Sequence, residues 1–119
     1  MTRTIADGLV ALVALEHVWF LVLEMFLWTK PIGQRTFRQS EEKAKASAAL
    51  AANQGLYNGF LAAGLVWGLA LGSFAVKAFF LACVVVAGVF GAATVSRRIL
   101  TVQALPAAVA LILLWVSRG

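Results

Sequence analysis

Four apolar runs fill most of this sequence, and each is long enough to cross a lipid bilayer. They lie at residues 5–28, 46–71, 76–95 and 99–116. A helix needs about 20 apolar residues to span the hydrocarbon core. Backbone N–H and C=O groups in hydrocarbon must bond within the segment, and these runs are too uniformly apolar for barrel strands. The pattern therefore predicts an all-α polytopic membrane protein with four transmembrane helices.

The composition agrees with a chain whose main solvent is lipid. Of its 119 residues, 62% are hydrophobic and 13% are charged. Soluble domains are about 45–50% apolar and about 25% charged. A domain of this size has too much surface for its volume to hide the excess in one core. We therefore expect a single membrane domain over residues 1–119, with the lipid bilayer as its principal partner.

Short connections join the four runs. The longest, residues 29–45, is polar, and the other two span residues 72–75 and 96–98. Short links make consecutive helices antiparallel neighbours. The expected architecture is an antiparallel four-helix bundle with almost nothing outside the membrane.

The basic residues are divided unequally between the two ends of this bundle. Seven fall at one end, namely Lys30, Arg35, Arg38, Lys43, Lys45, Arg97 and Arg98. Three fall at the other end, namely Arg3, Lys77 and Arg118. Short loops rich in Lys and Arg stay in the cytoplasm. We therefore expect the loops 29–45 and 96–98 to be cytoplasmic and both termini to lie outside.

The charge and the single cysteine exclude several classes of site. The net charge is +5, but the basic residues sit in short connections, which argues against a nucleic-acid-binding surface. Cys83 is the one cysteine, so no disulfide within the chain is possible and no Cys/His metal pattern exists. We expect no metal site and no cofactor.

Glycines recur at spacings of four in the second run. Gly55 and Gly59 form one pair, and Gly64 and Gly68 form another. Small residues at this spacing allow membrane helices to approach closely. The second helix is therefore predicted to pack tightly against its neighbours.

Several polar residues interrupt the apolar runs, and these are the candidate site residues. Ionisable groups at bilayer depth are costly, so they face the bundle interior and often mark function. On the first helix, Glu16, His17 and Glu24 fall within an arc of about 100°. The second helix adds Asn53, Gln54, Tyr57 and Asn58, and the fourth adds Gln103. We expect all eight in one slab between the midplane and the cytoplasmic third.

The charges of this slab suggest a mechanism. It contains two carboxyls and one imidazole but no Lys or Arg. We expect at least one carboxyl to be protonated at neutral pH, or to share a proton with His17. Exchange of that proton for a cation is the basis of proton-coupled transport. In the structural alternative, Asn53, Gln54 and Gln103 only bond across helices. Asp7, at the membrane edge, is expected to be solvated.

Three segments resemble an uncharacterised family of small four-helix bacterial membrane proteins. They are Leu15-Glu16-His17, the run from Leu23 to Trp28, and Asn53-Gln54-Gly55-Leu56-Tyr57-Asn58-Gly59. The Val102–Pro106 segment fits as well, so the match covers nearly the whole chain. The resemblance implies four helices and the inner (plasma) membrane of a bacterial cell. It implies no activity.

A looser resemblance, at the level of the fold, is to the small multidrug-resistance transporters. They have a similar length, four helices and a membrane-embedded Glu in the first helix, as Glu16 is here. The residues around Glu16 depart from that family's motif, so the likeness is one of fold alone. Those transporters act as dimers, so the resemblance implies a homodimer.

Three functional hypotheses remain open from the sequence. The first is a proton-coupled transporter of a small solute that uses Glu16 and Glu24. The second is a membrane-embedded binding or accessory subunit that holds a lipid, a pigment or a larger complex. The third is an intramembrane enzyme in which Glu16 and His17 act as an acid–base pair on a lipid-like substrate.

Overall fold

The computed structural model describes residues 1–118, and this part of the chain contains helices and no strand. The elements, in chain order, are α1 (Thr2–Met25), α2 (Pro31–Thr36), α3 (Glu41–Ala46), α4 (Ala48–Leu71), α5 (Phe74–Thr94), a π-helical turn (Leu100–Ala104) and α6 (Leu105–Arg118). The predicted all-α class is confirmed.

Three helical segments within residues 1–118 are long and apolar enough to cross a membrane. They are Thr2–Met25, Phe74–Thr94 and Leu100–Arg118. Helix α4 has 24 residues and is long enough, but Asn53, Gln54 and Asn58 make its first half less apolar. The structure therefore supports a membrane protein with three evident spans, and the fourth span stays a prediction.

Helix α1 ends earlier than the predicted boundary at residue 28. It stops at Met25, and Trp28 belongs to the connection that follows. There the Trp28 indole Nε1 donates to the Ser47 hydroxyl at 3.1 Å, and its ring lies 4.7 Å from the Phe37 ring. These two contacts hold the indole against the connecting segment. If α1 continued to residue 28, the indole would not lie there.

The connection predicted as the loop 29–45 contains two short helices. Pro31 lies at the start of α2, where its missing N–H costs nothing. Ser40 caps α3 by accepting from the Lys43 N–H at 3.1 Å, and Lys45 pairs with Glu41 one turn earlier at 3.0 Å. Residues 29–45 therefore contain local helical structure and do not form an irregular loop.

The last predicted helix, residues 99–116, has an irregular first turn. The Leu105 N–H donates to the Leu100 carbonyl, a bond that spans five residues and defines the π-helical turn. Pro106 has no N–H, so it cannot serve the Val102 carbonyl as a regular α-helix would require. The π-helical turn ends just before this proline.

The chain forms two compact parts, which we describe separately. The first comprises residues 1–15 and residues 61 onward. Its buried core is apolar and consists of Ala6, Val10, Val13, Ala14, Leu65, Leu81, Val84, Ala107, Ala110 and Leu114. Gly88 of α5 lies so close to Ala104 that an added Cβ would come within 2.8 Å of the Ala104 backbone nitrogen.

The second part comprises residues 16–60. It holds the end of α1, both short helices and the first half of α4. A Cβ on Gly55 would come within 2.6 Å of the Met25 Cγ, and one on Gly59 within 2.7 Å of the Leu21 Cδ1. The close approach predicted at these two glycines is confirmed, and it brings α4 against the α1 face that carries the polar residues.

Candidate functional site

The second half of α1 positions three ionisable side chains. Because α1 is one continuous helix over Thr2–Met25, Glu24 follows Glu16 by about 12 Å along the axis and about 80° around it. His17 lies at about 100° on the same arc. In this regular helix, Glu16, His17 and Glu24 therefore lie on one arc of the helix surface, as predicted.

Glu24 is held by a buried amide from α4. The Asn58 side chain is 6% exposed, and its Nδ2 donates a hydrogen bond to the Glu24 Oε1. Gly55, one turn before Asn58, lets α4 come near enough, since a Cβ there would lie 3.2 Å from the Glu24 Cβ. The structure thus brings together two of the residues predicted for the site.

Glu16 differs from Glu24 in its surroundings. Its Oε1 atom is buried and has no hydrogen-bond partner within residues 1–118. In that part of the chain the same is true of one other side-chain atom, the Gln39 Nε2. Buried polar atoms are nearly always bonded, so an exception calls for an explanation.

His17 is fully buried. Its ring meets the Phe20 ring edge-on, with centroids 5.2 Å apart. His17 and Glu16 are adjacent in sequence but diverge by about 100° around the helix. Residues 1–118 contain no group of three or more His, Cys, Asp or Glu side chains that could hold a metal ion.

Three predicted site residues of α4 lie elsewhere. Asn53, Gln54 and Tyr57 are exposed, whereas we expected polar groups to face the interior. The reason is the helix face that α4 buries: Gly55 and Asn58 take the side toward α1, and Asn53 and Tyr57 lie about 100–160° away from these two. Gln54 lies about 40° from Asn58, at the edge of the side toward α1, and is nevertheless exposed.

Gln103 belongs to the other part of the chain. It is half-buried and lies in the π-helical turn Leu100–Ala104 that precedes α6. A single π-helical turn inside a helix often accompanies a functional residue. The common depth predicted for Gln103 and the α1 carboxyls stays a prediction.

One charged pair was not predicted from the sequence. Lys77 Nζ lies 2.8 Å from Asp7 Oδ1, with the lysine side chain 4% and the aspartate side chain 36% exposed. Asp7 is thus partly exposed to solvent, as expected, but its carboxylate is also paired with a buried lysine, which was not predicted. The pair could have been predicted because Asp7 and Lys77 have opposite charges and lie near helix ends that were expected on the same side of the membrane.

Comparison with known proteins identifies relatives but no activity. Residues 11–115 match the family model described as "Protein of unknown function (DUF1304)". An uncharacterized protein, YpaA, from Lactococcus lactis subsp. lactis (strain IL1403) is 30% identical over 105 residues, which cover 85% of this chain and 88% of the relative. No solved structure matches the chain.

Proposed function

We propose that this chain, which belongs to the DUF1304 family of proteins of unknown function, is a proton-coupled transporter of a small cationic solute. Glu16 and Glu24 would bind the proton and the solute in turn. The observation that carries this proposal is the Glu16 Oε1, which is buried without a hydrogen-bond partner among residues 1–118. It lies in a helix apolar enough to cross a membrane.

The proposal requires four membrane spans. At about 1.5 Å per residue, the 24 residues of α4 extend for about 36 Å, which exceeds the hydrocarbon thickness. Its one buried amide, Asn58, already has a partner in Glu24. With four spans, the basic connection 29–45 and the link 96–98 lie in the cytoplasm and both termini lie outside. We propose the inner (plasma) membrane of a bacterial cell as its location.

The two carboxyls would have different roles because their surroundings differ. Glu24 accepts a hydrogen bond from Asn58, so one of its oxygens already has a partner in the protein. The Glu16 Oε1 has no hydrogen-bond donor among residues 1–118. A bound proton or cation would interact with this oxygen in place of a protein group. A pair of carboxyls in unlike environments can divide proton binding and charge binding between them.

The second candidate is a membrane-embedded binding or accessory subunit. It is favoured by the exposed face of α5, a shallow apolar groove lined by Phe79, Cys83, Val86 and Phe90, which suits an acyl chain or an apolar helix. In that case Glu16→Gln would leave function intact, whereas Gly59→Leu would abolish assembly. The opposite pattern would reject this candidate.

Charge movement tests the transporter proposal. Purified protein is reconstituted on a solid-supported membrane, and pH jumps and a panel of small cations and amines are applied. We expect transient currents in the wild type that disappear in Glu16→Gln and Glu24→Gln. Glu42→Gln is the matched control, since Glu42 is an exposed carboxyl in α3. Silence of folded wild-type protein across the panel would reject the proposal.

A further inference from the structure

The exposed face of the first half of α4 carries polar groups at its centre. Asn53 and Gln54 are exposed, and Tyr57 and Phe60 are 51% and 56% exposed. Asn53 and Tyr57 lie within about 40° of each other around the helix, and both lie about 160° from Gly55. Asn53 and Tyr57 therefore point away from α1, whereas Gln54, about 100° from Gly55, lies at the edge of the same exposed side. We call these three residues the polar face.

The polar face lies inside the membrane if α4 crosses it, and here the inference rests on the proposed function. Helix α4 begins at Ala48, next to Ser47, whose hydroxyl accepts from the Trp28 indole. Tryptophan favours the membrane interface. Asn53 and Tyr57 then lie about 8 Å and about 14 Å further along the axis. An amide or phenol that faces hydrocarbon without a partner is costly.

We infer that this polar face binds the same face of a second copy of the chain, which forms a homodimer. Copies inserted with one orientation are related by a two-fold axis along the membrane normal, so a residue near the axis meets its own counterpart. Side-chain amides and the phenol each carry a donor and an acceptor. The face is therefore complementary to itself, and interhelical hydrogen bonds of this kind hold membrane helices together.

The exposed face of α5 offers no comparable polar groups. On α5, the exposed Phe79, Val86 and Phe90 are 63–68% exposed and are apolar, so lipid satisfies them. The Glu24–Asn58 pair lies on the α1 side of α4, so the dimer contact does not use the carboxyls of the proposed transport site. Dimer formation and transport can therefore fail independently.

Disulfide cross-linking of the full chain in liposomes tests the contact. In a Cys83→Ala background, Leu50→Cys and Phe60→Cys place reporters on either side of the polar face and leave its polar residues intact; the native side chains are 75% and 56% exposed. Val86→Cys is the control, on a residue that is 68% exposed on α5. We expect oxidation to give covalent dimers at positions 50 and 60 and not at 86. Absence of dimers at both positions, or an equal yield at 86, would overturn the inference.

A second measurement tests how much the polar side chains contribute to the stability of the dimer. Asn53→Leu should weaken the dimer about eight-fold on dilution in lipid, the equivalent of two interhelical hydrogen bonds at about 0.6 kcal/mol each. Unchanged association in Asn53→Leu and in Asn53→Leu/Tyr57→Phe would also overturn the inference. A Glu16→Gln variant that keeps the dimer but loses the currents would show that the dimer contact and the transport site are separate. Currents from a protein that forms no dimer would overturn the dimer inference and leave the transport proposal intact.

Discussion

The Asn58 side chain of α4 donates a hydrogen bond to the Glu24 carboxylate of α1. This bond links the two helices whose polar residues define the candidate site. It also explains how one carboxyl in an apolar helix is accommodated, because the amide that serves it is itself buried. The other carboxyl of α1, Glu16, has a buried oxygen without such a partner in the part of the chain that the structure describes.

Removal of the Asn58 amide should destabilise the protein through Glu24. A buried acceptor that loses its donor costs about 1–3 kcal/mol, so we expect Asn58→Leu to lower the free energy of unfolding by about that amount. Glu24→Gln should lower it less, because an amide oxygen can still accept. Glu24→Leu removes the acceptor altogether, so Asn58→Leu, Glu24→Leu and their double variant form a thermodynamic cycle, and unfolding in mixed micelles measures the coupling. Strictly additive effects of the two substitutions would contradict the bond.

An added methyl group at Gly55 should separate α1 from α4. A Cβ there would come within 2.6 Å of the Met25 Cγ and 3.3 Å of the Leu21 carbonyl oxygen. Because the backbone oxygen cannot move easily, we expect Gly55→Ala to cost roughly 1–3 kcal/mol of stability. Gly8→Ala is the matched control, since nothing lies within 4 Å of its Cβ position. That variant should be neutral or stabilising by up to about 1 kcal/mol. Equal effects in the two variants would be inconsistent with the packing.

Loss of the Asp7 carboxylate should leave a buried ammonium without its counter-charge. Breaking a fully buried pair costs about 3–5 kcal/mol. Asp7 is partly exposed, so water would screen part of the loss, and we expect about 2 kcal/mol for Asp7→Asn. The double variant Asp7→Asn/Lys77→Met should recover most of it, because no charge then remains buried. A double variant no more stable than Asp7→Asn would contradict this account of the pair.

The sequence predicted the elements better than the contacts between them. Uniform apolar runs indicated the helices α1, α5 and α6, and the four-residue spacing of Gly55 and Gly59 indicated a close helix contact. The arc of Glu16, His17 and Glu24 followed from helix periodicity alone. These features depend on local pattern, which one sequence displays directly.

The parts that failed depend on which face of a helix is buried. Asn53 and Tyr57 were expected to face inward because polarity in a membrane helix usually does, yet Gly55 and Asn58 fix the opposite face of α4 against α1. The pairing of Asp7 with Lys77 joins residues 70 positions apart, and no periodicity reports such a contact. The early end of α1 likewise follows from the contacts of Trp28 with Ser47 and Phe37.

The most direct test of the central claim is to observe the proton on Glu16. Infrared spectra of reconstituted protein, recorded across a pH titration, distinguish the carbonyl band of a protonated carboxylic acid from the bands of a carboxylate. We predict a protonated band at neutral pH in the wild type that shifts on deuterium exchange, is weaker in Glu16→Gln and is unchanged in Glu42→Gln. A wild-type spectrum in which every carboxyl ionises in the ordinary range of glutamate, about pH 4–5, would contradict the claim.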